Sequence, residues 1–196
     1  MGDQPETRPS LLARIRDARD AEAWTQFVAV YSPLVYRFAR RRGLQASDAA
    51  DVTQEVFRAV ARSIRRFDYD PQRGSFRGWL IAVARSKLQN FLTKRQTGME
   101  GSGGTAAWKL LEQQGSREEE DAFLEREHRR CLFDWAAGQV RDEFQPSTWQ
   151  AFWQTSVEGR SAKEVGDSLG ITVGAVYIAR SRVLARLKAK IQQLEG

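Results

Sequence analysis

Residues 161–177 read Ser161-Ala-Lys-Glu-Val-Gly-Asp-Ser-Leu-Gly-Ile-Thr-Val-Gly-Ala-Val-Tyr177. Ser161 followed by Glu164 has the spacing of a capping box, in which each side chain satisfies the other residue's backbone amide at a helix start. The short helix that follows presents Ala162, Val165 and Leu169 inward. Gly170 stands where the chain must turn through a left-handed conformation, and Ile171 plugs the angle between two helices. Thr172 caps the second helix, which buries Val176, Val183, Leu187 and Ile191. A short helix, a glycine turn and a longer helix form the pattern of a helix-turn-helix, whose second helix enters the DNA major groove by its N-terminal part.

With Val176 inward, a step of about 100° per residue points Gly174, Tyr177, Ile178 and Ser181 away from the core, with Arg182 flanking them. These are the candidates for base contacts, while Lys163 and the amides near Thr172 are placed for phosphate. From Val173 onward Arg180, Arg182, Arg186, Lys188 and Lys190 face a single acid, Glu195. A helical hairpin packed on another element has the same local pattern, and the basic second helix favours DNA. Tyr177 and Ile178 suit apolar contact with thymine methyls; they equally suit a patch that packs on a partner.

Outward from this motif the chain reads helical throughout. Trp24, Phe27, Val28, Tyr31, Leu34, Val35 and Phe38 recur at steps of three and four, with Pro33 expected to kink or divide their helix. A second helix, capped by Ser47 or Asp48, carries Val52, Val56, Phe57, Val60 and Ile64 on its buried face. After the turn-rich stretch Phe67–Gly74, Ser75 is placed to cap a third helix burying Trp79, Leu80, Val83, Ala84, Leu88, Phe91 and Leu92. Gly98–Gly115 has a linker composition. A charged helix starts at Glu118, and Pro146-Ser147 opens one with Trp149, Phe152 and Trp153 on its apolar side. No alternating β-branched run calls for a strand. The expected class is all-α: two small helical domains joined by a flexible linker.

Charge divides along the chain. Of 196 residues, 1–96 hold 18 Lys/Arg against 10 Asp/Glu, 97–130 hold 5 against 8, and 131–196 hold 8 against 7. Two basic surfaces flanking an acidic stretch point to two contacts with a polyanion. One cysteine, Cys131, excludes an internal disulfide. His128 and Cys131 put two ligand-type side chains on one helical turn with nothing to complete a metal site. Walker-type and Gly-x-Ser-x-Gly motifs are absent, so neither catalysis, a cofactor nor a metal is expected. The longest apolar run, Trp79–Ala84, is far too short for a membrane span. The first ten residues lack the apolar region of a signal peptide, so a cytoplasmic protein without membrane insertion is expected.

Asp48-x-x-Asp51-x-x-Gln54-Glu55-x-Phe57, then Gly74-Ser-Phe76-x-x-Trp79-Leu80 and Ala84-Arg85, resembles region 2 of bacterial sigma factors, closest to the small two-domain extracytoplasmic-function (ECF) type. The helix-turn-helix resembles their region 4. The resemblance implies a region 2-like domain over 10–96, a linker over 97–117 and a region 4-like domain over 118–196. It also implies binding to core RNA polymerase and to promoter DNA, with region 2 melting the −10 element and region 4 reading the −35 element. Asp48, Asp51, Gln54, Glu55 and Phe57 would then meet polymerase. Tyr69, Arg73, Arg77, Arg85, Ser86, Lys87 and Arg95 would form the basic and aromatic track for the melted strand, since extruded bases need stacking partners and cations. Ser161, Lys163, Thr172, Tyr177, Ile178, Ser181 and Arg182 would serve the upstream duplex. Family members are commonly held inactive by an anti-sigma factor. Ser86, Asn90, Tyr177, Ile178 and Arg180 depart from the residues usual in the family, so no promoter sequence carries over. A stand-alone helix-turn-helix regulator is the alternative; it leaves the 48–57 motif without a role.

Overall fold

A computed structural model describes residues 11–17, 19–64, 76–97 and 117–195, and every element among them is helical. The turn 67–74, Ser75 and the Gly98–Gly115 stretch lie outside the described residues, as do Tyr69 and Arg73. The chain divides into two compact units, one holding Leu11–Cys131 and the other Leu132–Gly196.

The first unit contains α1 (Leu11–Arg14), α2 (Ala21–Arg41), α3 (Ala46–Ser63), α4 (Phe76–Thr97) and the first part of α5 (Arg117–Val140). Asp20 starts α2: its carboxylate accepts from the Ala23 amide at 2.9 Å and from Arg14 at 2.8 and 3.0 Å. Helix α2 runs unbroken through Pro33, contrary to the expectation of a kink or division. Phe27, Val30, Leu34, Val35 and Phe38 are all buried on both sides of the proline. Packing along the whole face thus outweighs the roughly 3 kcal/mol that an interior proline costs. Gly43, with φ 83°, ends the helix, and the Leu44 amide reaches back to the Ala39 carbonyl.

The start of α3 also differs from expectation. Its N-cap is Gln45, which makes no side-chain cap bond; Ser47 and Asp48 fall in the first turn instead. The Ala49 amide already bonds the Gln45 carbonyl at 2.9 Å, and Asp48 there suits the positive end of the helix dipole. Val52, Val56, Val60 and Ile64 are buried as the spacing predicts. Phe27 lies at the centre of an aromatic cluster, its ring 5.6 Å from Trp24, 5.0 Å from Tyr31, 5.4 Å from Phe57 and 5.8 Å from Phe76.

The second unit packs the end of α5 with α6 (Pro146–Ser156), α7 (Ala162–Leu169) and α8 (Val173–Glu195). One buried group joins Ala136, Val140, Trp149, Phe152, Val183 and Leu187. Another joins Ala151, Val165, Val176 and Ala179, with Leu169 and Ile171 against it. Sequence reading starts the second domain at 118, whereas the compact unit starts at Leu132. Helix α5 is continuous across that point, and its acidic first half is drawn to the basic first unit. Glu127 pairs with Arg37 at 2.9 Å, Glu125 with Arg77 at 2.6 Å, and Glu120 with both Arg42 and Arg85. The Arg41 guanidinium lies 4.4 Å from the centre of the Phe123 ring.

Candidate nucleic-acid and protein interfaces

The helix-turn-helix is built by its caps. Ser161 Oγ accepts from the Glu164 amide at 3.2 Å, and Glu164 Oε2 accepts from the Ser161 amide at 2.9 Å. These bonds from the Ser161 backbone and hydroxyl hold the Glu164 carboxyl below its ordinary range. Gly170 adopts φ 66° and ψ 31°, the left-handed turn read from the sequence. The Ile171 amide bonds the Gly166 carbonyl at 3.0 Å, and Thr172 Oγ1 accepts from the Ala175 amide at 3.1 Å. Gly166 plays a part that the sequence reading did not assign. A Cβ there would stand 2.8 Å from the Ile171 carbonyl oxygen, so the turn folds directly over it.

With Val176 and Ala179 buried beneath, Gly174, Tyr177, Ile178, Ser181 and Arg182 all stand exposed on one side of α8. Lys163 is exposed on α7, while the hydroxyls of Ser161 and Thr172 are engaged in capping. Farther along α8, Arg186 forms a two-point pair with Glu143 at 2.5 and 2.8 Å. That pair holds the Glu143 carboxyl below its usual range, mainly through the hydrogen bonds from Arg186.

In the first unit the five residues assigned to a protein contact share α3 without sharing one environment. Asp51, Gln54 and Glu55 are exposed, Asp48 is half-buried, and the half-buried Phe57 ring packs on Phe27. Arg58, which the sequence reading passed over, binds both exposed partners, at 2.5 Å to Glu55 and 3.5 Å to Gln54. Exposed pairs of this kind contribute only about 0–1 kcal/mol, so they exchange readily for a partner's groups. An open groove of about 310 Å³ runs between α3 and α4, lined by Asp51, Glu55, Lys87, Asn90, Phe91 and Lys94 among others. It brings together residues that the sequence assigned to two different contacts.

The cations assigned to the melted strand are divided. Ser86 is exposed and Lys87 half-buried at the groove, while the Arg95 side chain lies outside the described residues. Arg77 and Arg85 are engaged by α5: Arg77 with Glu125, and Arg85 through its Nε at 3.1 Å from Glu120 Oε1. Arg77 also donates to His128 Nδ1 at 3.1 Å. Because guanidinium has only donors, the His128 proton must sit on Nε2, a buried atom with no hydrogen-bond partner. Burial first, and the Arg77 charge second, lower the His128 pKa to about 4. His128 is thus a neutral packing group stacked on Tyr31 at 5.6 Å. Cys131 is buried and forms no disulfide, its Sγ lying 3.6 Å from Arg37 Nη1, and among the described residues no cluster of three metal-ligating side chains occurs. No helix among them is long and apolar enough to cross a membrane.

Residues 27–97 match the family model for sigma-70 region 2. The chain is 27% identical over 181 residues to the ECF RNA polymerase sigma factor SigE of Mycolicibacterium smegmatis, covering 92% of this chain and 65% of that protein. It is 25% identical over 190 residues to the RNA polymerase sigma factor CnrH of Cupriavidus metallidurans, covering 94% and 95% of the two. A solved structure of CnrH in complex with the cytosolic domain of CnrY covers 93% of this chain and 95% of that chain, at 21% identity and a TM-score of 0.36.

Proposed function

We propose that this chain, a member of the ECF-type RNA polymerase sigma factors, binds core polymerase and supplies its promoter specificity, with one contact to the −10 element and one to the −35 element. The observation that carries the reading is the pairing, in one chain, of a region 2 match over 27–97 with a capped helix-turn-helix over 161–177. A stand-alone regulator accounts for the second and leaves the first without work.

Asp51, Gln54 and Glu55 are the polymerase-facing edge. All three are exposed, and Gln54 and Glu55 are held by weak pairing to Arg58, so basic groups of a partner can displace that arginine. Asp48 belongs to the same edge by its place in the motif, and Phe57 anchors α3 to the aromatic cluster. Ser86, Lys87 and Arg95 are the α4 contacts to the melted strand, joined by Tyr69 and Arg73 of the preceding segment. Arg77 and Arg85 reach DNA by exchanging Glu125 and Glu120 for phosphate. In the upstream duplex, Tyr177, Ile178, Ser181 and Arg182 face the bases, while Lys163 and the backbone near Ser161 and Thr172 meet phosphates. CnrH, a relative of this chain, is seen bound to the cytosolic domain of CnrY, and the reading includes a protein partner of that kind here.

The direct test of the polymerase edge is co-migration with purified bacterial core polymerase on size-exclusion chromatography. The wild-type chain should co-elute, and Gln54→Ala with Glu55→Ala should weaken the complex at least several-fold while leaving helicity unchanged. Equal affinity of the double variant removes this edge from the interface.

A further inference from the structure

The upstream contact proposed above leaves open what the recognition helix reads, and the composition of its exposed face narrows the answer. Side chains that discriminate bases by paired hydrogen bonds are Arg or Lys for guanine, Asn or Gln for adenine, and Asp or Glu for cytosine. None stands at 173–178. The exposed residues there are Val173 at 42%, Gly174, Tyr177 at 57% and Ile178 at 57%. Ser181 adds one hydroxyl in the next turn. Arg182 flanks the face about 13 Å along the axis from Val173, at 1.5 Å per residue. Large apolar side chains on the solvent side of a helix are costly to display unless something covers them.

The surroundings identify what covers them. Arg180 and Arg182 are exposed on the same helix and Lys163 on α7, and none of the three makes an ion pair among the described residues. A polyanion with apolar groups on its readable edge matches both features. Duplex DNA offers such groups in the major groove as the 5-methyl of thymine. The deep, narrow major groove of double-stranded RNA does not admit side chains.

We propose that Tyr177 and Ile178 are specificity-determining residues that read thymine methyl groups, so that the upstream element selected by this chain carries thymines where the first two turns of α8 enter the groove. The reading rests on the function proposed above. Val176 and Ala179, packed against Val165 and Ala151, fix the rotation of the helix that presents them. Lys163 and Arg180, both exposed, supply the sequence-independent attraction. Because methyl contacts discriminate less steeply than paired hydrogen bonds, upstream selectivity should be spread over several thymines rather than concentrated at one base pair.

The test uses the full chain assembled with core polymerase on genomic promoter fragments, with occupancy and transcription both read. In one set, upstream thymines are replaced by deoxyuridine, which removes the methyl group and preserves every Watson–Crick and groove hydrogen bond; a second set carries the replacement outside the upstream element. Loss of each contacted methyl should lower promoter occupancy about fourfold, from the usual transfer value for one buried methyl. Replacement outside the element should change nothing. The Tyr177→Ala and Ile178→Ala variants should each show a smaller thymine-to-uracil difference than wild type, the coupling expected of groups in contact. Equal occupancy on thymine and uracil templates with wild-type protein overturns the proposal. So does an Ile178→Ala loss of equal size on both templates, which would assign this face to a protein contact. Absence of transcription from every template instead refutes the polymerase function itself, and the methyl reading falls with it.

Discussion

Gly166→Ala isolates the geometry of the turn that sets α7 against α8. Gly166 is buried in the interior of α7, and the Gly170 and Ile171 amides both bond its carbonyl. A Cβ there would meet the Ile171 carbonyl oxygen at 2.8 Å and the Val173 nitrogen at 3.7 Å. The obstacle is backbone, so relief requires the turn to lift by about half an ångström, which stretches those bonds and pulls Ile171 off the Val165–Val176 cluster. Overpacking costs about 2–3 kcal/mol when no flexible side chain can yield, and alanine's better helix propensity offsets about 1 kcal/mol. The net expectation is a loss of about 1–2 kcal/mol, or roughly 5–15 °C in the melting temperature of a unit this size. Thermal unfolding of the full chain, followed by near-ultraviolet circular dichroism, measures it. Gly174→Ala is the internal control: the nearest atom to its added Cβ is Thr172 Oγ1 at 3.9 Å, so stability should hold or rise by up to about 1 kcal/mol. A Gly166→Ala protein as stable as wild type, or equal losses at both glycines, refutes the close-approach argument.

Three further outcomes follow from particular groups. Ser161→Ala removes the acceptor for the Glu164 amide and should cost about 1 kcal/mol, read from the urea midpoint, with Ser161→Asn retaining most of the stability. Glu120→Gln should destabilise the first unit by about 1–3 kcal/mol, because this largely buried carboxylate holds Arg42 and Arg85 together; an unchanged urea midpoint removes Glu120 from the docking of α5. His128, with its pKa lowered to about 4, binds its proton less readily folded than unfolded. Its neutral form therefore gives full stability above about pH 6.5, and that contribution is lost as pH falls from 6.5 to 4, by up to about 3 kcal/mol. Urea midpoints across that range should fall more steeply for wild type than for His128→Gln, and parallel curves would refute the assignment.

The parts of the fold legible in the sequence are those set by neighbours along the chain. The Ser161 box, the Gly170 turn, the Thr172 cap and the burial of Val176, Val183 and Leu187 each depend on residues within a few positions of one another. What was hidden depends on distant partners. Nothing near Pro33 signals that α2 stays whole, because the face that sustains it is completed by Phe57 and Phe76 against Phe27. The acidic run after 117 reads as a solvated helix start and as part of the C-terminal domain. Only the arrangement of α2 and α4 reveals that Arg37, Arg42, Arg77 and Arg85 receive Glu120, Glu125 and Glu127. For the same reason the assignment of Arg77 and Arg85 to DNA gave no sign that each is paired with an acid of α5. Gly166 was silent because a close backbone approach leaves no mark on its neighbours other than the glycine itself.

The measurement that bears most directly on the central claim is run-off transcription with bacterial core polymerase, this protein and a pool of genomic promoter fragments. The account predicts discrete start sites that vanish when the protein is omitted, sharing two upstream sequence elements at a fixed spacing. Start sites unaffected by the protein, together with failure of the chain to co-elute with core polymerase, would contradict it.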